Sequence, residues 1–277
     1  SRRTGRALHG TKERRNEMRI GFIGGGNMAG AIAAGAADSG VIAPQNIYIY
    51  DRNFDKADAL CKKHGFNACR SQAEAEIKSD IVVIAVKPNS ARDVLDGISR
   101  AKAIVSIVAG LSIDEMKKHV KGDVRILRVM PNTPMLVGAG ASAFARPCTL
   151  NDDEYAEIKR IFTALGMVVD VDEKYLSAVT GVSGSGPAYA YMFIEALSDA
   201  GVKHGLKRDD AKMLAAQTVY GAAKMVLETG KHPAQLKDEV CSPGGTTIDA
   251  VAVLEEMGLR AAVIDAVDAC VDKAERL

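Results

Sequence analysis

The chain has 277 residues and a formal net charge of +1 at pH 7, with 26% of its residues charged. A chain of this length can bury a large core and typically forms two domains. The near-neutral charge excludes the basic excess typical of nucleic-acid binding, and no apolar run approaches the ~20 residues that cross a membrane.

Residues 1–17 differ in composition from the rest of the chain. They contain six Lys or Arg, two acidic residues and very few apolar ones, so they cannot form part of a core. Met18 then leads directly into a predicted strand, so we expect the natural start to lie there. We expect residues 1–17 to be a disordered leader or an artificial extension. A transit peptide is disfavoured, because these residues have no apolar face.

The first predicted strand, 19–23, runs into a glycine-rich turn that opens a predicted helix over 27–39. The turn follows the pattern G-x-G-x-x-A. Its first glycine permits a tight turn, its second lets a diphosphate approach the backbone, and the small last residue allows close packing. The pattern predicts a Rossmann-type dinucleotide-binding domain over 18–170, with cofactor contacts from Gly24, Gly26, Asn27, Met28 and Ala29.

The second predicted strand, 46–50, ends at Asp51 and Arg52. An acid at this place accepts hydrogen bonds from the ribose hydroxyls of NAD(H) and repels the 2′-phosphate of NADP(H), whereas an arginine attracts that phosphate. Because both residues are present, the sequence leaves the coenzyme open. We expect NADP(H), with NAD(H) as the alternative.

Further apolar strands are predicted over 80–86, 103–108, 124–129 and 167–171, separated by helices, as in a parallel α/β sheet. Ligands of such sheets bind beyond the carboxyl ends of the strands. Three of these ends carry polar or glycine-containing turns, which makes their residues candidate cofactor contacts: Ala85, Val86, Lys87, Pro88, Ala109, Gly110 and Asn132. A solvated surface charge at Lys87 and simple turn chemistry at Asn132 are the alternatives.

From residue 171 onwards the strand pattern stops and helices are predicted. Asp172 is expected to cap a helical run through Val182, and Pro187 to restart a helix after the break at 183–186. Apolar residues lie on more than one face of these helices. We therefore expect residues 171–277 to form an all-α C-terminal dimerisation domain, which buries its apolar surface against a second copy.

A second glycine-rich stretch, 241–247, precedes a predicted helix over 248–257. We interpret Ser242 as its N-cap and Pro243 as a first-turn residue. Gly244 and Gly245 leave the unpaired backbone N–H groups uncovered, which suits a carboxylate or phosphate. Thr246 and Thr247 add hydroxyl groups; a tight turn with a helix cap is the simpler alternative.

Five stretches together resemble the signature of pyrroline-5-carboxylate reductases, which reduce a cyclic imine to L-proline with a nicotinamide cofactor. The resemblance runs from Met18 to the C-terminus through residues 24–29, 85–88, 130–134, 183–189 and 233–247. It implies that residues 85–88 lie along the nicotinamide ribose and that Asn132 borders the nicotinamide pocket. It also implies that Glu173 reaches the nicotinamide amide; a solvated acid at a helix start is the alternative.

The resemblance also assigns a substrate, 1-pyrroline-5-carboxylate. Its carboxylate is expected to bind at Ser242, Gly244, Gly245, Thr246 and Thr247. Thr247 would act as the catalytic donor by hydrogen-bonding the ring nitrogen, which polarises the imine. Because the imine can arrive protonated, no strong side-chain acid is needed. The alternative for Thr247 is a helix cap only.

Three other functions compete with this interpretation. The chain could reduce another cyclic imine, or it could act on a β-hydroxy acid. Enzymes of the latter class use a lysine on the first long helix, and residues 182–193 contain none. A non-catalytic NAD(P)-sensing protein would keep the first glycine turn but has no need of the second.

The cysteines and histidines indicate location and metal content. The five cysteines are odd in number and lack Cys-x-x-Cys spacing, and the five histidines are scattered. We therefore predict no disulfide framework, no metal site and a cytoplasmic protein. The expected partners are the small-molecule substrate and a second copy of the chain, with a ring of dimers as a larger assembly.

Overall fold

A computed structural model gives the fold and describes residues 18–276. The expectation for residues 1–17 lies outside the described residues. The described residues form two compact units: the first comprises residues 18–184 and 271–276, and the second comprises residues 185–270. The predicted division into domains at 170/171 stays a prediction.

The first unit is built on one mixed sheet. Among residues 18–276 its strands are β1 (Ile20–Ile23), β2 (Ile47–Tyr50), β3 (Asn67–Cys69), β4 (Ile81–Ile84), β5 (Ala103–Ser106), β6 (Arg125–Met130), β7 (Gly140–Arg146) and β8 (Gly166–Asp172). Their spatial order is β3-β2-β1-β4-β5-β6-β7-β8, and the first six run parallel. The order of these six is that of the dinucleotide-binding fold, which confirms the predicted Rossmann-type α/β class.

The last two strands depart from the prediction. β7 pairs antiparallel with β6 and parallel with β8, so the expectation that 167–171 closes a purely parallel series is wrong. The connection from β6 to β7 covers only 131–139 and includes the 3-10 turn Thr133–Val137. A parallel crossover needs roughly a dozen residues or more, so this short connection enforces the reversal.

Helices flank the sheet. Those of the first unit are α1 (Asn27–Asp38), α2 (Phe54–His64), α3 (Gln72–Lys78), α4 (Pro88–Asp96), α5 (Ile113–His119), α6 (Asp152–Thr163) and the short α7 (Leu176–Val179). Further 3-10 turns cover Pro44–Asn46 and Glu173–Tyr175, and a π-helical turn covers Thr180–Gly184. The predicted run from Asp172 is therefore irregular, and the Asp172 side chain makes no capping hydrogen bond.

Side-chain caps fix where several of these helices begin. Asn53, Ser71, Ser112 and Asn151 each accept a hydrogen bond from a backbone N–H in the first turn, of α2, α3, α5 and α6 respectively. Such caps satisfy donors that would otherwise have no partner. α1 differs, because it begins after Gly26 without a capping side chain.

The core lies on both faces of the sheet. Phe22 and Ile23 are neighbours on β1, yet they belong to two separate clusters of buried apolar residues. The strand is thus buried on both faces, which explains its continuous apolar sequence. In the first cluster Phe144 is fully buried, and its ring meets Phe162 edge-on at a centroid distance of 5.3 Å.

The second unit is all-helical. It contains α8 (Gly186–Lys203), α9 (Arg208–Thr229), α10 (Pro233–Val240), α11 (Thr246–Glu256) and most of α12 (Leu259–Ala274). Few of its side chains are buried, whereas Met192 and Leu227 are 71% and 72% exposed. So much uncovered apolar surface is typical of a subunit interface. Within residues 18–276 no helix is long and apolar enough to span a membrane.

We predict that Phe144→Ala lowers the free energy of unfolding by about 3–5 kcal/mol, because it removes a fully buried ring from the core. Urea unfolding followed by circular dichroism measures this. Val137→Ala is the control, since Val137 is 80% exposed and should change stability by no more than about 0.5 kcal/mol. A loss below about 1 kcal/mol for Phe144→Ala would contradict the close packing described here.

Candidate functional site

The first glycine of the turn after β1 is fixed by its neighbours. Gly24 has φ +102°, a conformation that favours glycine. Its N–H donates to the carbonyl of Tyr50 at 2.8 Å. A Cβ at this position would lie 2.5 Å from the Ala85 carbonyl oxygen. Gly24 therefore allows the end of β4 to pack directly against the turn.

The next glycine of the fingerprint faces open space instead. Gly26 is the N-cap of α1 with φ −76° and ψ 179°, and no side chain caps the helix. A Cβ at Gly26 would have no atom of the protein within 4 Å. The backbone N–H groups of Asn27, Met28 and Ala29, in the first turn of α1, are therefore not covered by a side chain. A diphosphate can approach them directly.

A cavity of about 430 Å³ lies at this edge of the sheet, at the carboxyl ends of β1, β2 and β4. It brings together seven of the predicted cofactor residues: Gly24, Gly26, Asp51, Arg52, Ala85, Val86 and Lys87. Lys56, Gln72 and Ser90 also line it, and the sequence analysis missed them. They lie in the first turns of α2, α3 and α4, which all begin at the same edge of the parallel sheet. The predicted alternation of strands and helices therefore contained the signal that these residues lie near the cofactor.

A larger groove of about 720 Å³ runs along α1. It shares Gly26 and Lys56 with the cavity and includes Asn27. Small residues of α1, apolar side chains such as Leu60 and Leu136, and the polar side chains of Asp38, Lys63 and His64 form most of the rest of its lining. The predicted cofactor residues thus favour the smaller cavity over the larger groove.

Asp51 and Arg52 point to different partners. The Asp51 carboxylate accepts hydrogen bonds from the Gly25 N–H at 2.7 Å and the Asn53 N–H at 2.9 Å. The Arg52 guanidinium donates to the Ser90 hydroxyl at 3.4 Å. Both side chains line the cavity, and the contact of each with a ribose or a phosphate stays a prediction.

The remaining predicted cofactor residues lie outside the lining of this cavity. Pro88 begins α4, with exposed Lys87 as its N-cap, and Ala109 and Gly110 form the turn after β5, where Gly110 has φ +76°. Asn132 is buried, donates to the Ser183 carbonyl at 3.0 Å and accepts from the Ala141 N–H at 2.8 Å. Their cofactor contacts stay predictions.

Glu173 is held in the first unit by two donors. Its Oε1 accepts from the Ile113 N–H at 2.7 Å and from Arg128 Nη1 at 3.2 Å. The alternative of a freely solvated acid therefore does not describe this residue. One carboxylate oxygen makes both of these bonds, so Oε2 keeps its capacity to accept, and the predicted contact with a nicotinamide amide stays a prediction.

In the second unit, residues 242–245 form a turn before the helix. The Gly245 N–H donates to the Ser242 carbonyl at 3.0 Å, and Gly244 has φ +67°. Pro243 followed by a glycine with positive φ is the pattern of a type II turn. The predictions of Ser242 as N-cap and Pro243 as a first-turn residue are wrong, because a helix cannot include the positive φ of Gly244.

The helix start therefore shifts to Thr246. α11 has Gly245 as its N-cap, with φ −85° and ψ 167°, and no side chain caps it. The unpaired first-turn N–H groups are those of Thr246, Thr247 and Ile248. Thr246 is exposed and Thr247 is half-buried. This geometry offers an anion three backbone donors, with the Thr247 hydroxyl close by.

The described residues give little support for a metal site or for a thiolate nucleophile at the buried cysteines. Among residues 18–276 no group of three or more His, Cys, Asp or Glu side chains is placed to hold a metal ion. All five cysteines are free thiols. Burial raises the pKa of Cys61 to about 12 and that of Cys69 to about 11, so neither is a thiolate nucleophile at neutral pH.

Comparisons with known proteins point in one direction. Residues 173–277 match the family model described as pyrroline-5-carboxylate reductase dimerisation, and residues 19–110 match that described as NADP oxidoreductase, coenzyme F420-dependent. The pyrroline-5-carboxylate reductase of Escherichia coli K12 is 46% identical over 265 residues, covering 94% of this chain and 98% of that protein. The Arabidopsis thaliana reductase is 41% identical, covering 94% and 95%.

Solved structures agree with these relatives. A pyrroline-5-carboxylate reductase from Coxiella burnetii has a TM-score of 0.86 at 37% identity, covering 94% of this chain and 98% of that one. The Plasmodium falciparum pyrroline carboxylate reductase with NADP bound has a TM-score of 0.85 at 36% identity, with the same coverage.

We predict that Gly26→Ala weakens dinucleotide binding at least about tenfold, because its methyl group would occupy the approach of the diphosphate. The melting temperature should fall by no more than about 4 °C, since the protein leaves that space empty. Gly24→Ala is the contrasting variant, with a strained backbone and a clash with Ala85, and it should lose stability as well. Unchanged dinucleotide affinity in Gly26→Ala, measured by calorimetry, would exclude this turn as the diphosphate site.

Proposed function

The chain belongs to the pyrroline-5-carboxylate reductase family, and on that premise we propose that it reduces 1-pyrroline-5-carboxylate to L-proline with NAD(P)H, the last step of proline biosynthesis. Its similarity to the reductases named above spans 94% of its length. The observation that carries the proposal is a second helix start with glycine as its N-cap, Gly245 to Thr247, in a chain that already has such a start at the dinucleotide turn.

The coenzyme is assigned to the cavity at the first glycine turn. Gly26 leaves room for the diphosphate, and the cations of Arg52, Lys56 and Lys87 line the same cavity. These positive charges suit the additional 2′-phosphate of NADP(H), so we propose NADP(H) as the coenzyme and NAD(H) as an alternative. Bound there, the reduced coenzyme supplies a hydride to the imine carbon.

The substrate carboxylate is assigned to the start of α11. The N–H groups of Thr246, Thr247 and Ile248 have no capping side chain, and Gly245 places no Cβ before them. A carboxylate there would satisfy the free donors and gain from the positive end of the helix dipole. The type II turn at 242–245 fixes where this helix begins, which gives Ser242 and Gly244 a supporting role.

Thr247 is assigned as the catalytic donor. Its hydroxyl belongs to the same first turn as the proposed carboxylate site, where it can hydrogen-bond the ring nitrogen beside the carboxylate-bearing carbon. As the hydride adds to the carbon of the protonated imine, the C=N π pair becomes the lone pair of the product amine, so the step needs no further proton. The Thr247 hydroxyl donates a hydrogen bond to this lone pair as it forms. Thr246 contributes through its backbone N–H.

Two competing functions give different expectations. A non-catalytic NAD(P) sensor needs the cavity of the first unit only, so the open start of α11 would have no purpose. A reductase of another cyclic imine would use the same residues and differ only in its substrate. Loss of the reduced-nicotinamide absorbance at 340 nm on adding 1-pyrroline-5-carboxylate would exclude the non-catalytic sensor. Initial rates on several cyclic imines separate the reductases from each other.

We also propose a homodimer formed through the C-terminal helices, with a ring of dimers as a larger assembly. The match of 173–277 to the dimerisation model and the exposed apolar surface of the second unit support the dimer. A cytoplasmic location is proposed as well, supported by the five free cysteines.

We predict that Thr247→Ala lowers kcat by one to three orders of magnitude, a loss of roughly 1.5–4 kcal/mol in transition-state stabilisation. The NADPH dissociation constant should stay unchanged, because the hydroxyl is assigned to the imine. Thr246→Ala is the matched control and should keep most of the activity, since only its backbone is used. Equal activity in the two variants, measured by steady-state kinetics with NADPH, would refute the donor role of Thr247.

A further inference from the structure

The phosphate-binding turn is held by the last residue of β2, Tyr50, and by the residue that follows it, Asp51. The Tyr50 carbonyl accepts the N–H of Gly24 at 2.8 Å, and the Asp51 carboxylate accepts the N–H of Gly25 at 2.7 Å. The turn is thus fixed to the end of a neighbouring strand by one neutral and one charged acceptor. Hydrogen bonds to ionised groups are the stronger class.

The second oxygen of Asp51 is also engaged. Oδ1 accepts from the Asn53 N–H at 2.9 Å, just before α2 begins. The carboxylate therefore joins the glycine turn to the start of α2, and both of its oxygens accept a backbone N–H. A Cβ at Gly25 would lie 3.5 Å from Asp51 Cβ and Oδ2, an ordinary van der Waals distance, so the two segments approach each other closely.

The charges around the cavity bear on coenzyme choice. Asp51 and Asp93 are the acids that line it, whereas Arg52, Lys56 and Lys87 are its cations. The negative charge of Asp51 faces the backbone N–H groups of Gly25 and Asn53. The three cations of the lining outnumber its two acids. A 2′-phosphate in this cavity would therefore meet a net positive lining in spite of Asp51.

We propose that Asp51 is a positioning residue that holds the Gly25 N–H, and with it the phosphate-binding turn, and that it does not set the preference between NADH and NADPH. This proposal rests on the proposed function only in placing a nicotinamide coenzyme at the turn. It reverses the sequence-based expectation that an acid after β2 discriminates against the 2′-phosphate.

The test compares Asp51→Ser with Asp51→Asn and the unmodified protein. Asp51→Ser replaces the two charged carboxylate oxygens with one neutral hydroxyl oxygen. The dissociation constants for NADH and NADPH should therefore both rise by roughly tenfold or more, the effect of losing a hydrogen bond to a charged group. Their ratio should change by less than about threefold. Asp51→Asn keeps one carbonyl oxygen for the Gly25 N–H and should show an intermediate loss for both coenzymes.

Two further measurements separate positioning from selectivity and from general destabilisation. Adenosine 2′-monophosphate carries the 2′-phosphate but no diphosphate, so its affinity should be the same in Asp51→Ser as in the unmodified protein. In steady-state kinetics the loss should appear in the coenzyme KM and not in the imine KM. Asp55→Asn is the matched control: Asp55 is exposed in the first turn of α2 and outside the cavity lining, so removing its charge should change neither coenzyme's affinity.

The contrary result is equally clear. A shift of tenfold or more toward NADPH in Asp51→Ser, with adenosine 2′-monophosphate bound more tightly, would show that Asp51 selects the coenzyme and would overturn the proposal. Failure of the unmodified protein to bind either coenzyme would overturn the proposed function together with this inference. Normal imine reduction by the unmodified protein, with a coenzyme ratio that shifts in the variant, would overturn the inference alone.

Discussion

The two proposed binding sites depend on whether the backbone N–H groups at the start of a helix are capped by a side chain or left for a ligand. Four helices of the first unit satisfy one of these donors with an Asn or Ser side chain. α1 and α11 instead begin at Gly26 and Gly245, both in extended conformation and both without a capping side chain. Unpaired donors are costly when they are shielded from water, so these two starts suit anionic ligands. One would receive a diphosphate and the other a small carboxylate.

Glycine makes both starts possible, although for different reasons. Gly24 and Gly244 have positive φ, and each sets the turn that leads into its helix. Gly26 and Gly245 have ordinary φ values and serve by lacking a side chain. The motifs were therefore readable from the sequence. Gly24 and Gly244 are required by their backbone conformation, Gly26 leaves open space for a ligand, and a Cβ at Gly245 would lie 2.3 Å from Ser242 Oγ. The exact start of α11 was not, because Ser242 and Pro243 fit a helix start and a type II turn equally well.

The sequence also predicted the parallel part of the sheet, since strands buried on both faces, such as β1, are continuously apolar. It missed the three-residue β3 and the antiparallel β7, because strand pairing depends on contacts between residues that are distant in the sequence. The same limit applies to side-chain contacts. Asp51 bonds to Gly25, Asn132 to Ser183 and Glu173 to Ile113, across 26, 51 and 60 residues of sequence. Such partners decide whether a polar residue is available to a ligand, and spacing along the chain does not reveal them.

The proposed reaction requires that the start of α11 binds the substrate carboxylate beside the Thr247 hydroxyl. The most direct measurement is a crystal structure of the protein with L-proline bound. We expect the proline carboxylate to lie within about 3 Å of the N–H groups of Thr246, Thr247 or Ile248, with the ring nitrogen at the Thr247 hydroxyl. A proline bound in the active protein with no contact to residues 244–248 would contradict it.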